Sequence, residues 1–297
     1  MNSTRKPARE MIMFHAANSF QDDFDPLSGS GSSYFSSPAY GSSGAVSPDK
    51  ISTPAILLCS DLFPAYLARR RQRVENVSVE IPVSSKKIYF SGEKFDQRDL
   101  DILLFCISSA LGGTSKSDIG TIIDLNLALA AIGKQPSYAA RGRIKSSLYR
   151  LEQGLIRISD DRCSCTMRLI NSIFEDTQTR RCHVEINEDI LASFRSCIGP
   201  LPFIKERLGL GDQALAKWMH GMSWLNGGYY LISIRTLFKL CGSRARSIRS
   251  FYQEATEALS LLKEMGVICG WERNPDGRII VRGRDSCKND KQCRIYV

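Results

Sequence analysis

Apolar residues recur along this chain with two periods, every second residue in short runs and every third or fourth in longer ones, which separates strands from helices. From residue 95, Leu100, Leu103, Leu104, Ile107 and Leu111 fall on one helical face, opened by Asp96 as N-cap and stopped by Gly112-Gly113. A second helix is expected after Ser117, through Ile119, Ile122, Ile123, Leu127 and Ala130 to Gly133. Beyond Pro136 a third carries Ile144, Leu148, Leu151 and Leu155 on one face, with Arg141, Arg143, Lys145 and Arg150 elsewhere. After Gly154 the period drops to two, and strands are expected at 155–159, 166–174 and 181–186. Upstream, 77–81 and 88–90 alternate in the same way.

The same order returns after the Gly199-Pro200 break. A helix is expected over 203–225, with Leu208, Leu215, Trp218, Met219 and Met222, and Ser233 caps a short helix of Ile234, Leu237, Phe238 and Cys241 that ends at Gly242. A long helix follows, with Phe251, Ala255, Ala258, Leu259, Leu262 and Met265 as its core stripe up to Gly266. The apolar runs 267–273 and 278–282, joined by Asn274-Pro275-Asp276-Gly277, predict a hairpin. Three helices followed by a hairpin is winged-helix order, so the predicted fold class is α+β, with two tandem winged-helix domains. The two units match in element order and not residue by residue.

Composition adds what periodicity leaves out. Nine Ser, four Gly and two Pro among the 22 residues 27–48 cannot offset the entropy of ordering, so a disordered arm is expected over 1–53. The remaining divisions are a linker with short strands over 54–94, the two domains over 95–198 and 199–285, and a tail over 286–297. The net charge is +9, and since the first 50 residues hold four basic and five acidic side chains, the folded part is the basic part. That balance favours a polyanionic partner, nucleic acid ahead of membrane; the bland alternative is a basic protein without one. No run of 18 apolar residues suggests a membrane span, and the Met11-Ile12-Met13-Phe14 stretch is too short for a secretion signal.

The ten cysteines have no disulfide-framework spacing and read as free thiols of a reducing compartment. Cys163, Cys165, Cys182 and His183, on a predicted hairpin, are the nearest approach to a zinc set, but their spacing fits no familiar site, and Cys287 and Cys293 are weaker still; no metal and no cofactor is expected. Phosphate-loop, dinucleotide, nucleophile-elbow and zinc-protease motifs are all missing, which argues against an enzyme. Of the histidines, His15 lies in the arm, His183 on a strand and His220 in an apolar helix, where a packed histidine is the commoner outcome than a general base.

The signal for function is the cluster Arg244, Arg246, Ser247 and Arg249 at the start of the second long helix, where free N–H groups and first side chains together suit a DNA groove. Arg278, Arg282 and Arg284 on the hairpin are candidate wing contacts to phosphates, and Arg141, Arg143 and Lys145 form a second, lesser patch in the first unit. The plain alternative for each group is a solvated helix start. The second unit is therefore the expected main DNA reader.

Several blocks in order resemble the TrfA family of plasmid replication initiators: Tyr89 to Leu100, Leu169 to Arg181, Leu215 to His220, and Leu240-Cys241-Gly242 through Ala258, Leu262, Gly266 and Trp271, over about residues 57–284. The resemblance implies two winged-helix domains on double-stranded DNA repeats (iterons) at a plasmid origin. It further implies origin opening, recruitment of the host helicase, helicase loader and sliding clamp, exchange between monomer and homodimer, and a bacterial cytoplasmic location. Cys59-Ser60-Asp61-Leu62-Phe63 is similar to the family's clamp-docking Leu-Phe motif; the alternative is that Leu62 and Phe63 pack on the first domain. The competing function is a winged-helix transcription regulator, acting on its own operon for instance.

Overall fold

The computed structural model describes residues 53–284, excepting 83–85, 113–115, 118–119, 161–162, 177, 180, 198–199 and 227–228. The expected arm, but for Thr53, and the tail with Cys287 and Cys293 lie outside the described residues, as do His15, Gly113, Ile119 and Gly199. Helices and three antiparallel sheets make a mixed α+β fold.

The chain enters through α1 (Thr53–Leu58) and an irregular segment, then forms β1 (Arg73–Val79) and β2 (Lys87–Glu93). Helix α2 (Gln97–Leu111) starts where predicted, because Asp96 accepts from the N–H groups of Arg98 and Asp99 while the Asp99 carboxylate accepts from the Asp96 N–H. This reciprocal capping satisfies donors that a helix start leaves without intrahelical partners. The expected second helix is shorter than its apolar pattern. Residues up to 124 instead give β3 (Lys116–Ser117) and β4 (Gly120–Asp124), and only then comes α3 (Leu125–Ala131). Thr121, Ile122 and Ile123 are β-branched and alternate in burial, so they fit a ladder better than a helical turn.

Helix α4 (Tyr138–Gln153), capped by Ser137, runs into β5 (Leu155–Ser159). The single strand expected over 166–174 is two: β6 (Ser164–Met167) and β7 (Ile170–Asp176), followed by β8 (Arg181–Ile186) and α5 (Glu188–Cys197), a helix the apolar pattern did not predict. The split has a topological cause. β6 closes the sheet β1-β2-β5-β6, whereas β7 belongs to β3-β4-β8-β7, so the chain changes sheets at Arg168-Leu169.

The helix expected over 203–225 is likewise broken, into α6 (Pro200–Gly209) and α7 (Ala214–Leu225), with Gly211 at φ +56° turning the chain between them. Then come β9 (Tyr229–Ser233), which the pattern missed, α8 (Ile234–Leu240), α9 (Ile248–Glu264), β10 (Ile268–Arg273) and β11 (Arg278–Gly283). Their sheet order is β10-β11-β9. The order helix, strand, helix, helix, two strands thus occurs twice, as α2-β4-α3-α4-β7-β8 and as α7-β9-α8-α9-β10-β11. In both cases the last strand lies in the middle of its sheet, between the hairpin partner and the early strand. The β5-β6 hairpin is an addition to the first unit, paired with β2.

One core cluster runs through both units, and the segment before β1 helps to join them. Leu62 and Phe63 are buried, with the Phe63 ring stacked on Phe95 at 5.0 Å. The Trp218 indole of α7 donates to the Ser60 carbonyl at 2.9 Å, and the Ala65 N–H donates to the Cys241 carbonyl at 2.7 Å. Below them lies a buried ionic joint: Asp101 of α2 receives Arg207 of α6 at 2.8 Å and Lys217 of α7 at 2.5 Å. The same guanidinium donates to Gln97 at 2.6 Å, and none of these side chains is more than 7% exposed. So the pair resembling a clamp motif packs on the first domain, and neither ring nor leucyl group can fill another protein's pocket without leaving the core.

Candidate nucleic-acid interface

The start of α9 is built by Ser247, whose hydroxyl oxygen accepts from the Ser250 N–H at 3.1 Å. Arg246 and Arg249 flank this cap, exposed and without an ion pair among the described residues. Arg244 is exposed as well but fixed, since its guanidinium lies 3.7 Å from the centre of the Tyr66 ring and donates to that residue's hydroxyl at 2.9 Å. The structure therefore gathers Arg244, Arg246, Ser247 and Arg249 at one helix end. That end combines helix-start N–H groups, a positive macrodipole and the exposed cations Arg246 and Arg249, an arrangement suited to phosphate.

The expected wing contacts are dispersed. Arg278 sits next to the 274–277 turn, its backbone N–H bonded to the Asn274 side chain at 2.8 Å. Arg282 and Arg284 lie at the far end of β11. Arg282 pairs with Glu272 at 2.6 Å, and Arg284 reaches back to Glu206 of α6 at 3.0 Å and to the Gly266 carbonyl at 2.8 Å. Arg284 thereby stitches the end of the sheet to α6 instead of reaching outward. Glu206 is held down to about 2, first by its hydrogen bond with His220 and then by Arg284. His220 is fully buried, stacked on Phe203 at 4.8 Å, and burial lowers its affinity for a proton. It is a packed histidine.

In the first unit, Arg143 is exposed without an ion pair among the described residues, and Arg141 donates to Asn126 at 3.3 Å. Lys145 is paired with Glu175 of β7, which also accepts from the Tyr149 hydroxyl at 2.5 Å. That carboxylate is lowered by Lys145 and then Tyr149, while the Tyr149 hydroxyl is pushed up to about 12 by its bond to Glu175. Arg150 and Arg71 are spent inward, each 2.9 Å from the buried Asp99 carboxylate. Four arginines fall among residues 69–73 of the linker, and of these Arg69, Arg70 and Arg73 are exposed.

Helices α4 and α9 can be superposed by burial alone. Ala140, Ile144, Ser147, Leu148 and Leu151 in α4 have the same spacing as Phe251, Ala255, Ala258, Leu259 and Leu262 in α9. With those five positions matched, the outward sides differ in sign. The outer side of α4 carries Tyr138, Gly142, Lys145, Ser146 and Tyr149, edged by Arg141 and Arg143. The corresponding side of α9 carries Arg249 and then Gln253, Glu257, Ser260 and Glu264, edged by Glu254 and by Lys263, which stands where α4 has Glu152. An open groove of about 600 Å³ beside β10, lined by Tyr252, Thr256, Glu257, Ser260, Leu261, Glu264 and Trp271, belongs to this acidic side. Tyr138, 90% exposed, and Gly142 were not among the residues singled out by sequence. The signal for both was their place just after the Ser137 cap, among the arginines.

Cys163 and Cys165 lie on or beside β6 and Cys182 and His183 on β8, in different sheets, so they do not share the hairpin expected for them. Among the described residues no group of three or more potential ligands is placed to hold a metal ion. Cys59, Cys106, Cys163, Cys165, Cys182 and Cys241 are free thiols, but Cys269 is disulfide-bonded, which corrects the expectation that all cysteines are free. No helix among the described residues is long and apolar enough to cross a membrane.

No family model matches the chain, and no curated protein does, so the TrfA resemblance rests on the sequence blocks alone. Among solved structures the chain is similar to a selenomethionine derivative of domains 2 and 3 of RctB. The TM-score is 0.54 at 14% identity, covering 79% of this chain and 99% of that one. A second crystal structure of RctB domains 2–3 gives a TM-score of 0.50 at 14% identity, with 75% and 96% covered. At this identity the likeness is one of fold, and it extends over both units.

Proposed function

We propose that this protein is a replication initiator that binds DNA sequence-specifically through two tandem winged-helix domains and performs no catalysis. The observation that carries the reading is the duplicated unit. Each copy has the same element and sheet order and the same burial spacing in its long third helix, and each sets exposed arginines at the start of that helix. Third helices of such units are suited to the major groove, and cations around them give affinity by displacing counterions. The fold likeness to two consecutive domains of RctB supports the initiator class in general. The TrfA-like blocks support its finer form, a plasmid initiator acting in the cytoplasm on origin iterons and recruiting helicase and loader. The sliding clamp is left out of the proposal, because Leu62 and Phe63 belong to the core.

The test is titration of purified protein against DNA flanking its own gene and against scrambled DNA at two salt concentrations. A ladder of evenly spaced complexes on the flanking DNA is expected. A single dyad-like complex would identify a transcription regulator instead, and equal, salt-sensitive binding to both DNAs would refute sequence-specific function.

A further inference from the structure

Gly142 is the fifth residue of α4, inside the helix with helical neighbours on both sides, and a Cβ built there meets nothing within 4 Å. Glycine is the least favourable helix-interior residue after proline, and here neither packing nor a positive φ requires it. What remains is close approach of the backbone to something outside the molecule. The surroundings indicate its chemistry. Tyr138 precedes Gly142 by one turn on the same outward side, Arg141 and Arg143 edge it, and Arg143 has no ion pair among the described residues. A helix with side chains is about 10–12 Å across and the major groove about 12 Å wide, so a bare position on the outward side lets a helix seat more deeply.

We infer that α4 docks in the major groove with its backbone against the duplex at Gly142, and that Tyr138, Arg141 and Arg143 around it make the base choice. Helix α9 contributes phosphate contacts from its N-terminal end, through Arg246 just before the cap and Arg249 in the first turn. The inference rests on the proposed DNA-binding function and reverses the expected ranking of the two units. Beyond its first turn the outward side of α9 presents Glu254, Glu257 and Glu264 against the one cation Lys263, a net negative surface that would meet phosphates of like charge if the helix lay along the groove. The carboxylates beside the outer side of α4 are both occupied, Glu175 by Lys145, one turn beyond Gly142, and by Tyr149, and Glu152, near the end of the helix, by Arg168 at 3.0 Å.

The experiment uses the full chain and duplexes enriched by it from a randomised pool. Gly142→Ala is expected to raise the melting midpoint, because alanine is the better helix former, and yet to weaken binding to the enriched sequences about fivefold. Gly142→Leu should weaken it about a hundredfold. Arg143→Ala should flatten the preference at one base position, costing about tenfold on the enriched sequences alone. Arg249→Ala should weaken all sequences alike and lower the salt slope by about one. Wild-type affinity in Gly142→Leu, or base preference lost through Arg249 and kept without Arg143, overturns the inference while the DNA-binding function stands. Failure of the wild-type chain to enrich any sequence removes that function and the inference with it.

Discussion

Helices α4 and α9 bury the same five positions and expose opposite charge, although they occupy equivalent places in two units of one chain. Their inward sides are constrained by the same task, filling the space above a three-strand array and against a preceding helix. Buried side chains at i, i+4, i+7, i+8 and i+11 therefore recur in both, small or branched at every place but the first of α9, where Phe251 stands for Ala140. Their outward sides answer to nothing in the fold. Arg143 in one stands where Glu254 stands in the other, and Gly142 where Gln253 stands. Element order fixes where a helix points; which partner it meets is decided by residues that the core does not choose.

The comparison is meaningful only while the units are held together, so the largest expected effect comes from breaking their joint. Asp101→Ala leaves Arg207 and Lys217 buried without a carboxylate, which should cost about 4 kcal/mol. Calorimetry is expected to show one transition for the wild type and two, one per unit, for the variant; one transition in both would show that the joint contributes little. Next is Phe63→Ala, which removes a ring stacked between the segment before β1 and Phe95, for about 3 kcal/mol in urea unfolding. A loss below about 0.5 kcal/mol, the range of surface substitutions, would reopen the reading of Leu62-Phe63 as a docking motif.

A smaller effect separates the units by pH. Glu206 in the second unit has a folded value of about 2 against an ordinary 4.5. Its contribution is thus complete above 4.5 and lost as the pH falls from there towards 2. His220, lowered by burial, acts in the same sense from higher pH: the unfolded chain takes up a proton near 6.5 before the folded one does, so stability declines below that point. The urea midpoint of Glu206→Gln should fall less steeply than that of the wild type between pH 4.5 and pH 2. Parallel curves would mean that the Arg284–Glu206–His220 contacts are energetically idle.

Much of this was legible in the chain. The caps Asp96 and Ser233, the stripe of α9 and the turn at 274–277 lie where the sequence predicts them, because each rests on a local hydrogen bond or a local period. The two early strands, β4 and β9, were not legible, for a shared reason. Each ends on the residue that caps the next helix, Asp124 for α3 and Ser233 for α8, so no turn residue divides strand from helix. The apolar run of β4 therefore merges with that of α3, and only pairing with β8, some sixty residues later, makes it a strand. The candidate site was half legible. Arginines at helix starts are visible in sequence, but their partners are not. That Arg284 belongs to Glu206, Lys145 to Glu175 and Arg150 to Asp99 follows from contacts between distant segments.

Arg282 gives the smallest expected effect and the finest test of the difference between the hairpins of the two units. Its pair with Glu272 at 2.6 Å is nearly half exposed on both sides, so the attraction is screened and its side chains lose entropy on pairing. Arg282→Ala should therefore change stability by less than about 1 kcal/mol. Because the guanidinium is engaged across the hairpin at the end away from the turn, its loss should also leave DNA affinity and salt slope nearly as they are. Removal of Glu272 instead frees Arg282 without deleting it. If the far end of this hairpin does approach phosphates, Glu272→Gln should strengthen binding and steepen the salt slope by about one, and Arg282→Ala should then weaken it. Insensitivity to both substitutions confines the hairpin's part in DNA binding to Arg278 and the turn beside it.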